Sequence, residues 1–138
     1  MANNTIVVPV NISFVNNAAT WQVPNKVTVN HGDVDTIQWN LTNGALPSGA
    51  ASLKFAQSNA IQFVTSKNGV TGDAWTGPLP SRVSDTQVTV VDDNTTQTGT
   101  KHYYYSVTVA TYDSNGVLLN TYTKDPEVES EGPPPAIT

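Results

Sequence analysis

Few residues of this chain are equipped for chemistry, and they are scattered. Three turn-like stretches are rich in side-chain oxygen: Asp33 with Asp35, Asp92 and Asp93 with Asn94, and Asp113 with Asn115. Calcium draws such ligands from flexible loops. None of the three has the spacing of an EF-hand loop, and Asp and Asn also make turns by bonding their own backbone. The two histidines are His31 and His102. Paired across strands they would form a metal or pH-sensitive site; apart they are ordinary surface histidines. His31, His102, Asp92 and Asp93 are therefore the candidate metal ligands. Trp75 follows Asp73 and Ala74 and precedes Thr76, Gly77 and Pro78. An exposed indole in such a loop would offer a flat platform to a sugar ring or an apolar group, which makes Trp75 and Asp73 the candidate ligand-binding residues. The plainer account is a Trp folded back to plug one end of the fold.

Other chemistries lack their parts. With no cysteine there is no thiolate metal site, disulfide or cysteine nucleophile. No Gly-x-Ser-x-Gly elbow surrounds a serine, and no Gly-rich phosphate loop opens a helix. No catalytic residue and no cofactor are expected. Asp125, Glu127, Glu129 and Glu131 alternate along an extended stretch and would share one face. They form either an acidic stripe for a cation or basic partner, or a charged strand edge that discourages aggregation.

The balance of charge narrows the partners. A formal net charge of −5 with only six Lys plus Arg leaves no basic stripe to displace phosphate counterions. It disfavours an anionic membrane for the same reason. Charged residues make up 12%, about half the usual share, so Asn, Thr, Ser and Gln carry solubility. No apolar run approaches the ~20 residues that span a bilayer. Met1 to Thr5 carry neither a basic stretch nor an apolar one of the secretory kind. Localisation stays open between the cytoplasm and a leaderless export route.

The elements that must position these residues are strands. Ile6, Val8, Val10, Ile12 and Phe14 alternate at period two, the mark of a half-buried strand. Pro9 within that run predicts an edge or a bulge. Val27 to Val29 and Val34 to Thr42 follow, the latter with Ile37, Trp39 and Leu41 on one face. Short strands are expected at 51–55, 61–64 and 87–91, a turn at Asp92-Asp93-Asn94, and a long loop from Ser66 to Arg82. Two aromatic and β-branched runs flank Asp113-Ser114-Asn115-Gly116, predicting a long hairpin over 101–125. The 138 residues suit one domain, here 1–131, with a Pro-rich tail at 132–138. The expected fold is all-β, a two-sheet antiparallel β-sandwich of about seven to nine strands. Its core should hold Val8, Val10, Ile12, Ile37, Trp39, Phe55, Phe63, Val88, Val90, Tyr105, Val107 and Val109.

Two family resemblances bear on this fold. Val27 to Trp39, with His31-Gly32-Asp33 before Thr36-Ile37-Gln38-Trp39, resembles the early strand pair of cupredoxins. The Tyr-rich strand from His102 to Val107 resembles the late strand that brings the copper cysteine to its site. Ser106 lies about where that cysteine belongs, and no histidine follows Trp39 before His102. A blue-copper centre needs two His and a Cys. The resemblance thus implies a cupredoxin-like or immunoglobulin-like sandwich without its copper. The close of the hairpin, Tyr103 to Tyr112, Asp113 to Gly116, then Asp125-Pro126-Glu127-Val128, resembles the end of the AidA/PixA inclusion-body family, with Lys124 where that family has an aromatic residue.

The expected function is a non-enzymatic structural or interaction protein. It would associate with itself or another protein through the N-terminal strand or the Tyr-rich hairpin, as a homo-oligomer. The alternatives are a carbohydrate-binding module, calcium-assisted, and a divalent metal-binding protein.

Overall fold

The computed structural model describes residues 3–23, 26–29, 34–67, 70–71, 73–93, 95, 100–124 and 127–131; at 3, 26–29, 66–67, 70, 100–102 and 127–131 it describes the backbone alone. The strands in chain order are β1 (Asn3–Val15), β2 (Ala18–Gln22), β3 (Lys26–Val29), β4 (Val34–Asn43), β5 (Ser52–Phe55), β6 (Ile61–Val64), β7 (Ser66–Lys67), β8 (Val70–Thr71), β9 (Ser81–Ser84), β10 (Gln87–Asp93), β11 (Thr100–Tyr112), β12 (Leu118–Lys124) and β13 (Glu127–Glu131). No helix occurs among the described residues, so none there is long and apolar enough to cross a membrane.

Two sheets face each other. The first runs β2-β1-β4-β10-β9. The second is built on β11, with β12 and β13 in line along one side, β5 and β6 in line along the other, and β3 outside β13. Taken as continuous runs, these are five strands over four. The fold is the all-β sandwich that the alternation predicts. Two neighbouring pairs, β1 with β4 and β3 with β13, are parallel among otherwise antiparallel partners. The reason is that β2 and β3 change sheets: the chain leaves the first sheet after Gln22 and joins the second at Lys26.

Turn chemistry sets the registers. Asn16 and Asn17 both have positive φ, at 52° and 63°, and join β1 to β2 in a two-residue hairpin. Asn adopts that left-handed conformation more readily than most residues. At the other hairpin the Asp113 carboxylate accepts the N–H groups of Asn115 and Val117 at 2.8 and 2.9 Å, and Gly116 supplies the left-handed residue at φ 76°. The Asp113–Asn115 oxygens thus serve the turn.

The core lies between the sheets. Eleven of the twelve predicted core residues are buried, and Phe63 is partly buried against them. Each large apolar side chain taken out of water contributes roughly 1.5–3 kcal/mol. The alternation within β4 and β10 carries Ile37, Trp39, Val88 and Val90 inward.

Three expectations need correction. The strand expected to end at Val91 runs on through Asp92 and Asp93, paired with Asp35 and Val34 of β4, and the chain turns only at Asp93, whose carboxylate accepts the Thr95 N–H. The stretch from Ser66 to Arg82 is not all loop, since it holds the small β7–β8 ribbon and the start of β9. The acidic alternation at Glu127, Glu129 and Glu131 is not a sheet edge, because β13 has β11 on one side and β3 on the other. The edge expected at Pro9 holds: Pro9 lies in the part of β1 that β2 does not cover, with β4 on its other side and no bulge in that ladder, so its missing N–H falls on the side left open among the described residues. Asn30 to Asp33, Asp125-Pro126 and the tail 132–138 lie outside the described residues.

Candidate functional site

One end of the sandwich gathers several of the sequence candidates. Trp75 lies flat on Phe63, with ring centroids 4.2 Å apart and planes 10° apart. Its edge meets Tyr103 at 5.0 Å, and its Nε1 donates to the Pro78 carbonyl at 2.7 Å. A Cβ on Gly77 would come within 3.0 Å of the indole, so glycine there lets the loop close over the ring. Of the two readings of this indole, the geometry fits the folded-back plug rather than the exposed platform: Trp75 is half-buried, with one face taken by Phe63. Such aromatic packing is worth more than its area alone.

Asp73 and Asp92 reach the same neighbourhood. Burial, then the charges of Asp92 and Asp73, push the Tyr103 hydroxyl up to about 12. Asp92 is buried, as is Asp35, its direct cross-strand neighbour, which accepts a hydrogen bond from Asn4 Nδ2 at 3.1 Å. The sequence signal for a buried Asp35 is strand alternation rather than turn composition: it shares the period-two face of Ile37, Trp39 and Leu41.

Of the metal candidates, the two described carboxylates do not come together. Asp93 turns outward, opposite to Asp92, as strand alternation requires. Its carboxylate accepts from the Thr95 hydroxyl and backbone N–H at 2.6 and 3.0 Å, which hold it below the usual carboxylate range. His31 lies outside the described residues, as does the side chain of His102, whose backbone pairs with Glu129. Among the described residues no three His, Cys, Asp or Glu side chains gather as a metal site.

The two long sides of the sandwich differ. On one side the sheets are tied together: Phe55 N–H donates to the Asp85 carbonyl at 2.8 Å. Arg82 Nη2 reaches Asp85 Oδ1 at 2.7 Å and the Phe55 carbonyl at 3.4 Å, and Lys54 lies 3.6 Å from Asp85 Oδ2. The Arg82 bond is the main reason that the Asp85 carboxyl sits below its ordinary range. On the opposite side, β12 has no neighbour beyond it among the described residues. Six of its seven residues are exposed, and Tyr122 alone turns partly in, against Phe14 at 5.0 Å. Just before and within it stand Val117, Leu118 and Leu119, at 57%, 54% and 40% exposure. The strand carries no charge before Lys124.

Backbone directions follow from the ladder. Thr108 exchanges bonds with Ala56 and Ala60, so even-numbered residues of β11 face β5 and β6, and odd-numbered ones face β12. In β12 the partners of Val107, Val109 and Thr111 are Lys124, Tyr122 and Asn120. The N–H and C=O groups of Thr121 and Thr123 therefore point away from the sheet. Sequence reading reached this hairpin but not which of its sides stays open. The chain matches no protein-family model, and no curated protein is significantly similar to it.

Proposed function

We propose that this protein is a non-enzymatic interaction module that associates with copies of itself through the open edge of β12. The observation that carries the reading is the contrast between the two sides. One is closed by a backbone bond and an Arg82–Asp85–Lys54 charge cluster. The other presents outward backbone groups at Thr121 and Thr123 beside exposed Leu118 and Leu119. Natural sheets blunt their edges with charge, proline or cover. Over Leu118 to Thr123 this edge has neither charge nor proline. Antiparallel pairing of two β12 strands about Thr121 makes a two-fold, self-complementary contact in which Leu119 faces Thr123 of the second copy. Size-exclusion chromatography with light scattering tests the reading. A dimer or larger assembly that grows with concentration supports it, and a strict monomer at high concentration overturns it.

A further inference from the structure

A cleft of about 500 Å³ opens on the tied side, away from β12, and is lined by residues 56–63 and 79–82 with Val88 at its floor. We infer that it is a binding site for a neutral saccharide. Its size falls within the usual range for small-ligand sites.

The walls are built rather than incidental. β5 and β6 form a single run interrupted at Gln57, Ser58 and Asn59, and Thr108 pinches the interruption shut by accepting from Ala56 N–H at 3.0 Å and donating to the Ala60 carbonyl at 2.7 Å. The three pinched-out residues are all exposed, and Asn59 is held at φ 55°. A left-handed non-glycine residue costs free energy that the surroundings must sustain. Across the cleft stands Leu79, 83% exposed, followed by Pro80. Phe63 and Ile61 line it between the two walls, and Trp75 stacks behind Phe63. Ile61 and Phe63 pair with Val107 and Tyr105, so their N–H and C=O groups face the cleft. Arg82 Nε is buried in this wall without an acceptor among the described residues.

The lining selects the ligand class. Among the described residues no carboxylate lines the cleft, which leaves them nothing to offer a cation. The one charged residue among its described lining, Arg82, is already matched by Asp85, which leaves little to attract an anion. What remains is amide and hydroxyl groups from Gln57, Ser58, Asn59, Gln62 and Ser81 opposite aliphatic surface. Amides donate and accept at once, as sugar hydroxyls do, while Leu79 and Pro80 suit the C–H face of a ring.

The test is a titration of isotope-labelled protein with neutral disaccharides terminating in glucose, galactose or mannose, alongside sialylated glycans and an uncharged extended peptide. Saturable shifts confined to 56–63 and 79–82 with a neutral disaccharide are expected. Asn59→Gly, which relieves the strained backbone and removes the amide, and Leu79→Ser, at an exposed site, should each weaken affinity about tenfold. Preference for the acidic glycans or the peptide, silence toward every neutral sugar, or binding unchanged in both variants would overturn the inference. Both variants lie away from β12, so this outcome is separate from the protein's assembly state.

Discussion

Trp39 and Tyr105 pack at the centre of the sandwich with ring centroids 5.5 Å apart, and the indole Nε1 and phenol oxygen that they bring into the core have only each other nearby, with no hydrogen bond of normal geometry among the described residues. Both side chains are fully buried. Two sheets fastened across their middle by aromatic area thus also carry two poorly satisfied polar atoms.

Tyr105→Phe removes one of those atoms while keeping the ring. Taking away an unsatisfied buried hydroxyl is close to neutral or stabilising. Urea unfolding of the variant is expected to match the parent or exceed it by up to about 1 kcal/mol. A loss of more than about 2 kcal/mol would mean that the hydroxyl is well satisfied.

Alkaline pH should weaken the fold. Burial first of all pushes the Tyr103 and Tyr105 hydroxyls up to about 12, and for Tyr105 the nearby Trp39 N–H pulls slightly back. A raised folded-state value favours the neutral phenol in the native protein, so the stability is whole below the unfolded value of about 10 and is lost as pH rises toward 12. Ultraviolet titration of tyrosinate checks this. Two of the five tyrosines should ionise late, and urea midpoints should fall only above pH of about 10.

The loop around Trp75 acts as a stopper. Trp75→Ala abandons the Phe63 and Tyr103 contacts and should cost about 2–3 kcal/mol. Gly77→Ala sets a methyl 3.0 Å from the indole and should cost about 1 kcal/mol as the loop shifts. Denaturant midpoints for both variants, with Trp fluorescence as the second probe, measure the effect.

Most of the architecture was legible because period-two alternation reports burial directly. Val8, Val10, Ile12, Ile37 and Trp39 face inward as their spacing implies. What alternation does not report is partner choice. The parallel pairing of β1 with β4 arises from a strand pair that changes sheets, and nothing local in Ile6 to Phe14 encodes it. Composition placed the strand's end too early at Asp92 and Asp93, since β4 supplies a ladder for both before Asp93 caps the turn at Thr95. The Trp75 loop was visible as a candidate, yet its stacking on Phe63 depends on a contact twelve residues away in sequence. The cleft at Gln57 to Asn59 gave no sequence signal, since it exists through two bonds to Thr108 on a distant strand.

Hydrophilic repair of the β12 edge should raise solubility without unfolding. Leu119→Lys places a charge on an exposed edge residue, a device natural sheets use against edge pairing. Thermal midpoints within a few degrees of the parent and a shift toward monomer on light scattering are expected.

The central claim is edge pairing at β12, and sedimentation velocity of the parent against Thr121→Pro tests it most directly. Thr121 has its N–H turned away from β11, so proline there spares the protein's own ladder while blocking a strand added from outside. The account predicts a concentration-dependent oligomer for the parent and a folded monomer for Thr121→Pro. The same oligomer in both proteins, or a monomeric parent, would contradict it.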